Sequence, residues 1–218
     1  MSDWLTWQIV DSAFPTGAFA HSCGLESAWQ HGEIRDAGEL RAFLYAALQQ
    51  VTFGGLPLVN AAYAEPGRLA FLDARADAFL LNSVANRASR IQGRTLLATV
   101  GRVWPSPALA DLAARAGGTS AHVSPLAGAT LKTVGLPLKT IQEVVLFGTA
   151  RSVLAAAVRL GIVGSYEAQQ LQAGCGPWLD DLLRRAATLD LDDLAQTAPI
   201  ADLLQARHDH LYSRLFQS

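Results

Sequence analysis

The chain has 218 residues, half of them hydrophobic and 17% charged, with a formal net charge of −2. This composition excludes a disordered chain, supports a sizeable buried core and leaves apolar residues over for a partner surface. The near-neutral charge gives no electrostatic case for nucleic acid as the main partner, and only two cysteines, Cys23 and Cys175, exclude a disulfide scaffold or a Cys-rich zinc site.

Met1-Ser2-Asp3-Trp4 lacks the basic start and apolar core of a signal peptide. Trp4 to Asp11 carries enough apolar residues for a short helix. It leads into Asp11-Ser12-Ala13-Phe14-Pro15-Thr16-Gly17-Ala18-Phe19-Ala20-His21-Ser22-Cys23-Gly24-Leu25-Glu26, too apolar for a solvated linker and too broken for a plain core helix. Pro15-Thr16-Gly17 marks a turn. Phe19 to Trp29 is expected to be a helix whose small residues admit another backbone at close range.

Asp36-Ala37-Gly38-Glu39 has the layout of a capping box, an acceptor followed three residues on by a carboxylate that can reach back. The helix behind it carries Leu40, Phe43, Leu44, Ala47, Leu48 and Val51 on one stripe and stops at Gly54-Gly55-Leu56-Pro57. A short helix to Tyr63 ends at Pro66-Gly67. Arg68 to Val103 predicts two helices broken near Asn82-Ser83, the second bearing Arg87, Arg90 and Arg94 on one face. That stripe is either a solvated face or a contact surface for a partner. Ser106-Pro107 opens the next helix, and Gly117-Gly118-Thr119-Ser120 is the best candidate for a mobile loop.

Leu126 to Val134 is followed by a long helix from Pro137 to Leu160. Arg151 and Arg159 interrupt its apolar run, each costing roughly 2.5–3.5 kcal/mol at the centre of a membrane span, so the sequence predicts a buried helix of a cytoplasmic protein. Ser165 should cap another helix, broken at Gly174-Cys175-Gly176-Pro177 and resuming to about Leu189. The last helix is expected to follow Pro199 and run through His208 to the end. No strand alternation appears. The expectation is an all-α, single domain of roughly ten helices spanning residues 1–218.

Phosphate-binding glycine loops and a His-Glu-x-x-His motif are absent. If the segments are helical, His21 and Cys23, like His208 and His210, sit about 200° apart and cannot share one ion, while His21 and Ser22 point about 100° apart and make a poor dyad. No firm metal site emerges. The C-terminal stretch stays amphipathic to Phe216, as a helix docked on its own core or as a tail that orders against a partner.

The segment Asp11–Glu26 resembles the signature D-S-x-[FL]-P-x-G-[GA]-F-x-H-S-x-G-L-E of the urease accessory protein UreF family. The ending Leu211-Tyr212-Ser213-Arg214-Leu215-Phe216-Gln217-Ser218 is similar to its L-Y-S-R-L-F-x-S. Ser124-Pro125-Leu126-Ala127-Gly128 and Ala156-Ala157-Val158-Arg159-Leu160 look like its middle section. The resemblance implies an all-helical, non-enzymatic adaptor, usually a homodimer. Such an adaptor bridges the UreD/UreH scaffold and the GTPase UreG and regulates GTP-dependent nickel insertion into apo-urease. It also implies partner binding through Tyr212, Arg214, Leu215 and Phe216, and a signature helix bearing His21, Ser22, Gly24 and Glu26. No cofactor is held tightly; nickel in transit would meet His21, Cys23 or Glu26. Ala18 and Cys23 stand where the family often has glycine. The competing reading is a stand-alone metal-dependent or Cys/Ser hydrolase built on His21, Cys23 and Glu26.

Overall fold

The computed structural model describes residues 4–218, so the signal-free start expected at Met1 to Asp3 lies outside the described residues. The described residues form twelve α-helices: α1 (Trp4–Val10), α2 (Leu25–Gln30), α3 (Ala37–Gly54), α4 (Leu56–Ala64), α5 (Leu69–Phe79), α6 (Ser83–Val103), α7 (Pro107–Ala116), α8 (Val123–Thr133), α9 (Leu138–Arg159), α10 (Ser165–Gly174), α11 (Gly176–Ala186) and α12 (Pro199–Ala206). Four 3₁₀ turns complete the secondary structure, and no strand occurs among the described residues. The all-α expectation holds.

The helix starts obey local chemistry. Asp36 Oδ1 accepts the Glu39 N–H at 2.9 Å, Asn82 Oδ1 accepts those of Val84 and Ala85 at 3.0 and 3.3 Å, and Ser106 Oγ accepts that of Leu109 at 3.3 Å. Glu39 does reach back, but past the cap: its carboxylate accepts the Arg35 N–H at 2.7 Å and pairs with the Arg35 guanidinium. Gly164, not Ser165, occupies the cap position of α10.

Helix α8 lies at the centre, buried from Pro125 to Leu131 and packed between α4 and α6. The α4 crossing is close enough to require glycine. A Cβ on Gly128 would stand 2.3 Å from the Val59 carbonyl oxygen and 3.1 Å from the Tyr63 nitrogen. Helices α3 and α9 cross beside this pair, and α10 and α11 cover them from the outside. One apolar cluster runs from Ile9 to Phe216, so both ends of the described chain share a single core. Two stretches, Ala37–Ala64 and Leu138–Arg159, are long and apolar enough to cross a membrane, but about half of each lies inside the fold (50% and 44%).

The loop expected to be mobile is tied down. Asp73, buried on α5, accepts the Ser120 N–H and the His122 N–H, each at 2.7 Å. His122, fully buried at the start of α8, places Nδ1 3.0 Å from Ser89 Oγ on α6 and Nε2 3.0 Å from Asp77 Oδ1 on α5. Ser89 Oγ also accepts the Val123 N–H at 3.2 Å. This buried polar clasp joins three helices.

Two expectations about the ends are corrected. The signature segment is not one helix. A 3₁₀ turn covers Ala18–Ala20, His21 is extended, and α2 begins only at Leu25, so of His21, Ser22, Gly24 and Glu26 only Glu26 is helical. Positive φ angles at Gly17 (77°), Cys23 (57°) and Gly24 (86°) break the run. The C-terminal helix stops at Ala206. A 3₁₀ turn covers Arg207–His210, and residues 211–218 are irregular because their backbone bonds to the signature segment instead of to itself.

Candidate functional site

The two segments that carry the strongest sequence signals lie about 190 residues apart and meet in one buried seam. At its centre is Glu26, on the first turn of α2 and 1% exposed. Its Oε1 accepts the Leu215 N–H at 2.6 Å, and its Oε2 accepts the Phe216 N–H at 3.1 Å. His208 Nε2 lies 3.1 Å from Oε2. A carboxylate is the one side chain that offers enough acceptor sites for two amides and an imidazole at once. Burying it is sustainable only because those donors converge there.

The seam continues through the backbone. Ser22 donates its N–H to the Ser218 carbonyl at 2.6 Å and its hydroxyl to the same oxygen at 2.9 Å, and Gln217 N–H reaches the Ala20 carbonyl at 2.8 Å. His21 Nδ1 lies 2.6 Å from Ser218 Oγ. On the rim, Gln30 Nε2 donates to the Ser213 carbonyl at 2.9 Å. The Arg159 guanidinium stands 4.2 Å from the ring centroids of both Phe19 and Phe216 and donates to the Phe19 carbonyl at 2.8 Å. Pairing tail to signature thus uses main chain, charge and aromatic faces together.

Gly24 has its own reason. Its φ is +86°, and a Cβ there would sit 2.9 Å from Gln205 Cβ, so α12 packs against bare backbone. Cys23 has the same handedness, φ +57°, without being glycine. Cys23 is partly buried, and burial pushes its thiol up to about 11, leaving almost no thiolate near neutral pH. The His21 ring, 3% exposed, is held below the ordinary histidine pKa, first by burial and then by repulsion from His208 and Arg87. His21 Nε2 and His208 Nδ1 are both buried without a hydrogen-bond partner among the described residues.

Two hollows meet at His21. A partly open cavity of about 370 Å³ is lined mainly by apolar side chains such as Ile9 and Phe43, with His21, Cys23, His122 and Gln205 among its polar residues. A more open cleft of about 590 Å³ also touches His21 and is bounded by Arg87, Ile91, Asp209, Arg214 and Phe216. Glu26 lines neither. No group of three or more His, Cys, Asp or Glu side chains suited to holding a metal ion occurs among the described residues.

The tail is two-faced. Phe216 and Ser218 are buried, whereas Tyr212 is fully exposed, Leu215 is 52% exposed and Arg214 reaches Asp209 at 3.4 Å. Of the four tail residues expected to bind partners, Phe216 is committed inward. His208, central to the seam, could not be picked out by its spacing from His210; its one sequence cue is a histidine on the apolar face of the last amphipathic stretch.

The family model for UreF matches residues 34–176. The chain belongs to the UreF family. The UreF match stops short of both signature segments, which the pairwise relatives include. The chain is 34% identical to the urease accessory protein F of Oryza sativa subsp. indica over 98% of its length and 84% of that protein. The corresponding protein of Arabidopsis thaliana is 32% identical over 99% of the chain and 92% of its own length. The UreF of Xanthobacter autotrophicus is 35% identical over 99% and 88%. A urease accessory role is therefore the coarse functional assignment, and the seam is where this UreF chain joins its two ends.

Proposed function

We propose that this UreF chain is a non-catalytic adaptor in urease maturation. It bridges the UreD/UreH scaffold and the GTPase UreG and regulates GTP-dependent nickel insertion into apo-urease, acting in the cytoplasm as a homodimer. The observation that carries the reading is the seam itself. Glu26 fixes the backbone at Leu215 and Phe216, and this rigid anchoring presents Tyr212, Arg214 and Leu215 to a partner. Preorganisation of this kind lowers the ordering cost of association. Lacking a phosphate loop, the chain can bias a GTPase only through contacts that differ between its nucleotide states.

Nickel is cargo in this reading, met transiently. The support is the neutral imidazole of His21 at the meeting of cavity and cleft, whose Nδ1 bonds Ser218 but whose buried Nε2 has no hydrogen-bond partner among the described residues, with Cys23 nearby. Glu26 serves the passage less well, because both its oxygens are occupied by the tail. The same facts weaken the hydrolase reading: a thiol raised to about 11 is no nucleophile, and Glu26 is not free to act as a base.

The test is complementation. Urease activity in cells lacking this chain should return with the wild-type protein and stay low with Arg214→Ala, while circular dichroism shows the variant folded. Full urease activation without the chain would overturn the adaptor reading. Collapse of the variant would make Arg214 structural.

A further inference from the structure

The arginines of α6 form, with the tail, a continuous cationic strip. Arg87, Arg90 and Arg94 recur at helical spacing, spanning about 10 Å along the axis, and all three are exposed. Arg87 holds Asp209 at 2.8 Å, and Arg214 approaches the same carboxylate at 3.4 Å, so Asp209 splices the tail arginine onto the end of the strip. At that splice lies the 590 Å³ cleft, bounded by Arg87 and Arg214. At the far end Arg94 donates to a carbonyl, that of Ser120, at 3.4 Å. Arg90 acts through space on Asp77, whose carboxyl is held below its usual range first by hydrogen bonds from Asn86 and His122.

Of the four guanidiniums, Arg87 and Arg214 share Asp209, Arg90 acts on Asp77 and Arg94 meets a carbonyl, in a chain whose formal charge is −2. A local excess of positive charge on a net-negative molecule steers association with negative surfaces of a chosen partner. The tail end of the strip carries exposed Tyr212 and half-exposed Leu215, so it offers apolar anchors beside the charge.

We infer that the α6 strip and the cleft at its end receive an acidic surface of a partner protein, with the partner's carboxylates meeting Arg90 and Arg94, neither of which forms an ion pair among the described residues, whereas Arg87 and Arg214 already hold Asp209. This inference rests on the adaptor reading and adds the partner's chemistry and residues of α6 outside both signatures. Nucleic acid would also answer to arginine. No aromatic residue lies between Arg87 and Arg94 for base stacking, and the chain is net acidic, so a protein is the better match.

The experiment measures binding of the full chain to purified UreD/UreH and UreG, separately and together, at low and high sodium chloride. It compares wild type with Arg90→Glu/Arg94→Glu and Arg90→Lys/Arg94→Lys. The expected result is wild-type binding that weakens with salt and an at least roughly tenfold loss in the glutamate variant, mainly in the association rate. The lysine variant should retain binding, and melting temperatures should match. Undiminished binding by the glutamate variant overturns the inference and leaves the adaptor reading standing. Wild type that binds none of these proteins overturns the adaptor reading instead. Arginine-dependent binding to a labelled oligonucleotide, with accessory-protein binding unchanged, also overturns the inference. If the glutamate variant melts early, Arg90→Gln/Arg94→Gln is measured in its place, and a loss smaller than that in salt-matched wild type counts against the strip.

Discussion

The α4–α8 crossing and the signature–tail seam are both close contacts, and they are close in different ways. At the crossing, Gly128 brings backbone against backbone, and hydrocarbon surrounds it on both helices. At the seam, contact is made by hydrogen bonds from a tail without regular structure to Glu26, Ser22 and Ala20. The crossing can be loosened only by moving whole helices. The seam can open by releasing only the irregular residues 211–218, since no helix runs through them. A core contact serves global stability; a seam of this kind sets the stability of one segment and thereby the surface it displays.

The largest effect should come from cutting the seam at its centre. Glu26→Ala removes the acceptor for one buried and one partly buried N–H group and leaves His208 Nε2 without its partner, which costs up to about 3–5 kcal/mol where such partners stay buried. The tail can escape that cost by detaching. Limited trypsin digestion should therefore cleave after Arg207 and Arg214 much faster in the variant, at urea concentrations where far-ultraviolet circular dichroism still shows intact helices. Cleavage no faster than wild type would mean that Phe216 and Arg159 hold the tail without the carboxylate, and the seam would lose its special status.

The crossing supplies the control. In Gly128→Ala the added methyl has no space before the Val59 carbonyl, so α4 and α8 must separate, costing about 1–3 kcal/mol. Because the whole core shares the change, the urea midpoint should fall for all probes together, with no selective cleavage of the tail. Early tail release in this variant would show that the crossing and the seam are coupled rather than independent.

How much of this could be read from the sequence divides along the same line. The helices of the core were legible because each choice is local. Asp36, Asn82 and Ser106 cap the helices that start beside them, apolar stripes keep one period, and Gly-Pro clusters stop the chain. The seam was legible only as unusual composition. Nothing within Asp11–Glu26 says that Glu26 will bond to Leu215, and treating the run as a helix hid the positive φ angles at Cys23 and Gly24. The spacing arguments against a His21–Ser22 dyad assumed that helix. What excludes the dyad in the structure is different: Ser22 is spent on Ser218, and His21 faces the same residue. Asp73 escaped notice, and His208 was weighed only against its neighbour His210, for the same reason: a buried polar side chain looks like any surface one until its distant partner is known.

The smallest effect concerns acid. His21 is a base whose folded pKa lies below 6.5, chiefly because burial disfavours the charged ring, with His208 and Arg87 adding repulsion. As pH falls through the unfolded value, the unfolded chain binds a proton that the folded chain refuses. Stability tied to His21 is therefore fully present above pH 6.5 and is lost as pH drops towards the folded pKa. Asp209, whose carboxyl is lowered first by the Arg87 hydrogen bond, adds a loss in the same direction only at more acidic pH. The two are separable. Replacing His21 by Asn keeps a side chain able to bond Ser218 Oγ and removes the titration, so the slope of unfolding free energy between about pH 7 and pH 5 should flatten in His21→Asn. An unchanged slope would assign the acid sensitivity to another group. A slope that flattens together with slower tail proteolysis at low pH would place the proton uptake in the seam and make the display of Tyr212 and Leu215 sensitive to pH.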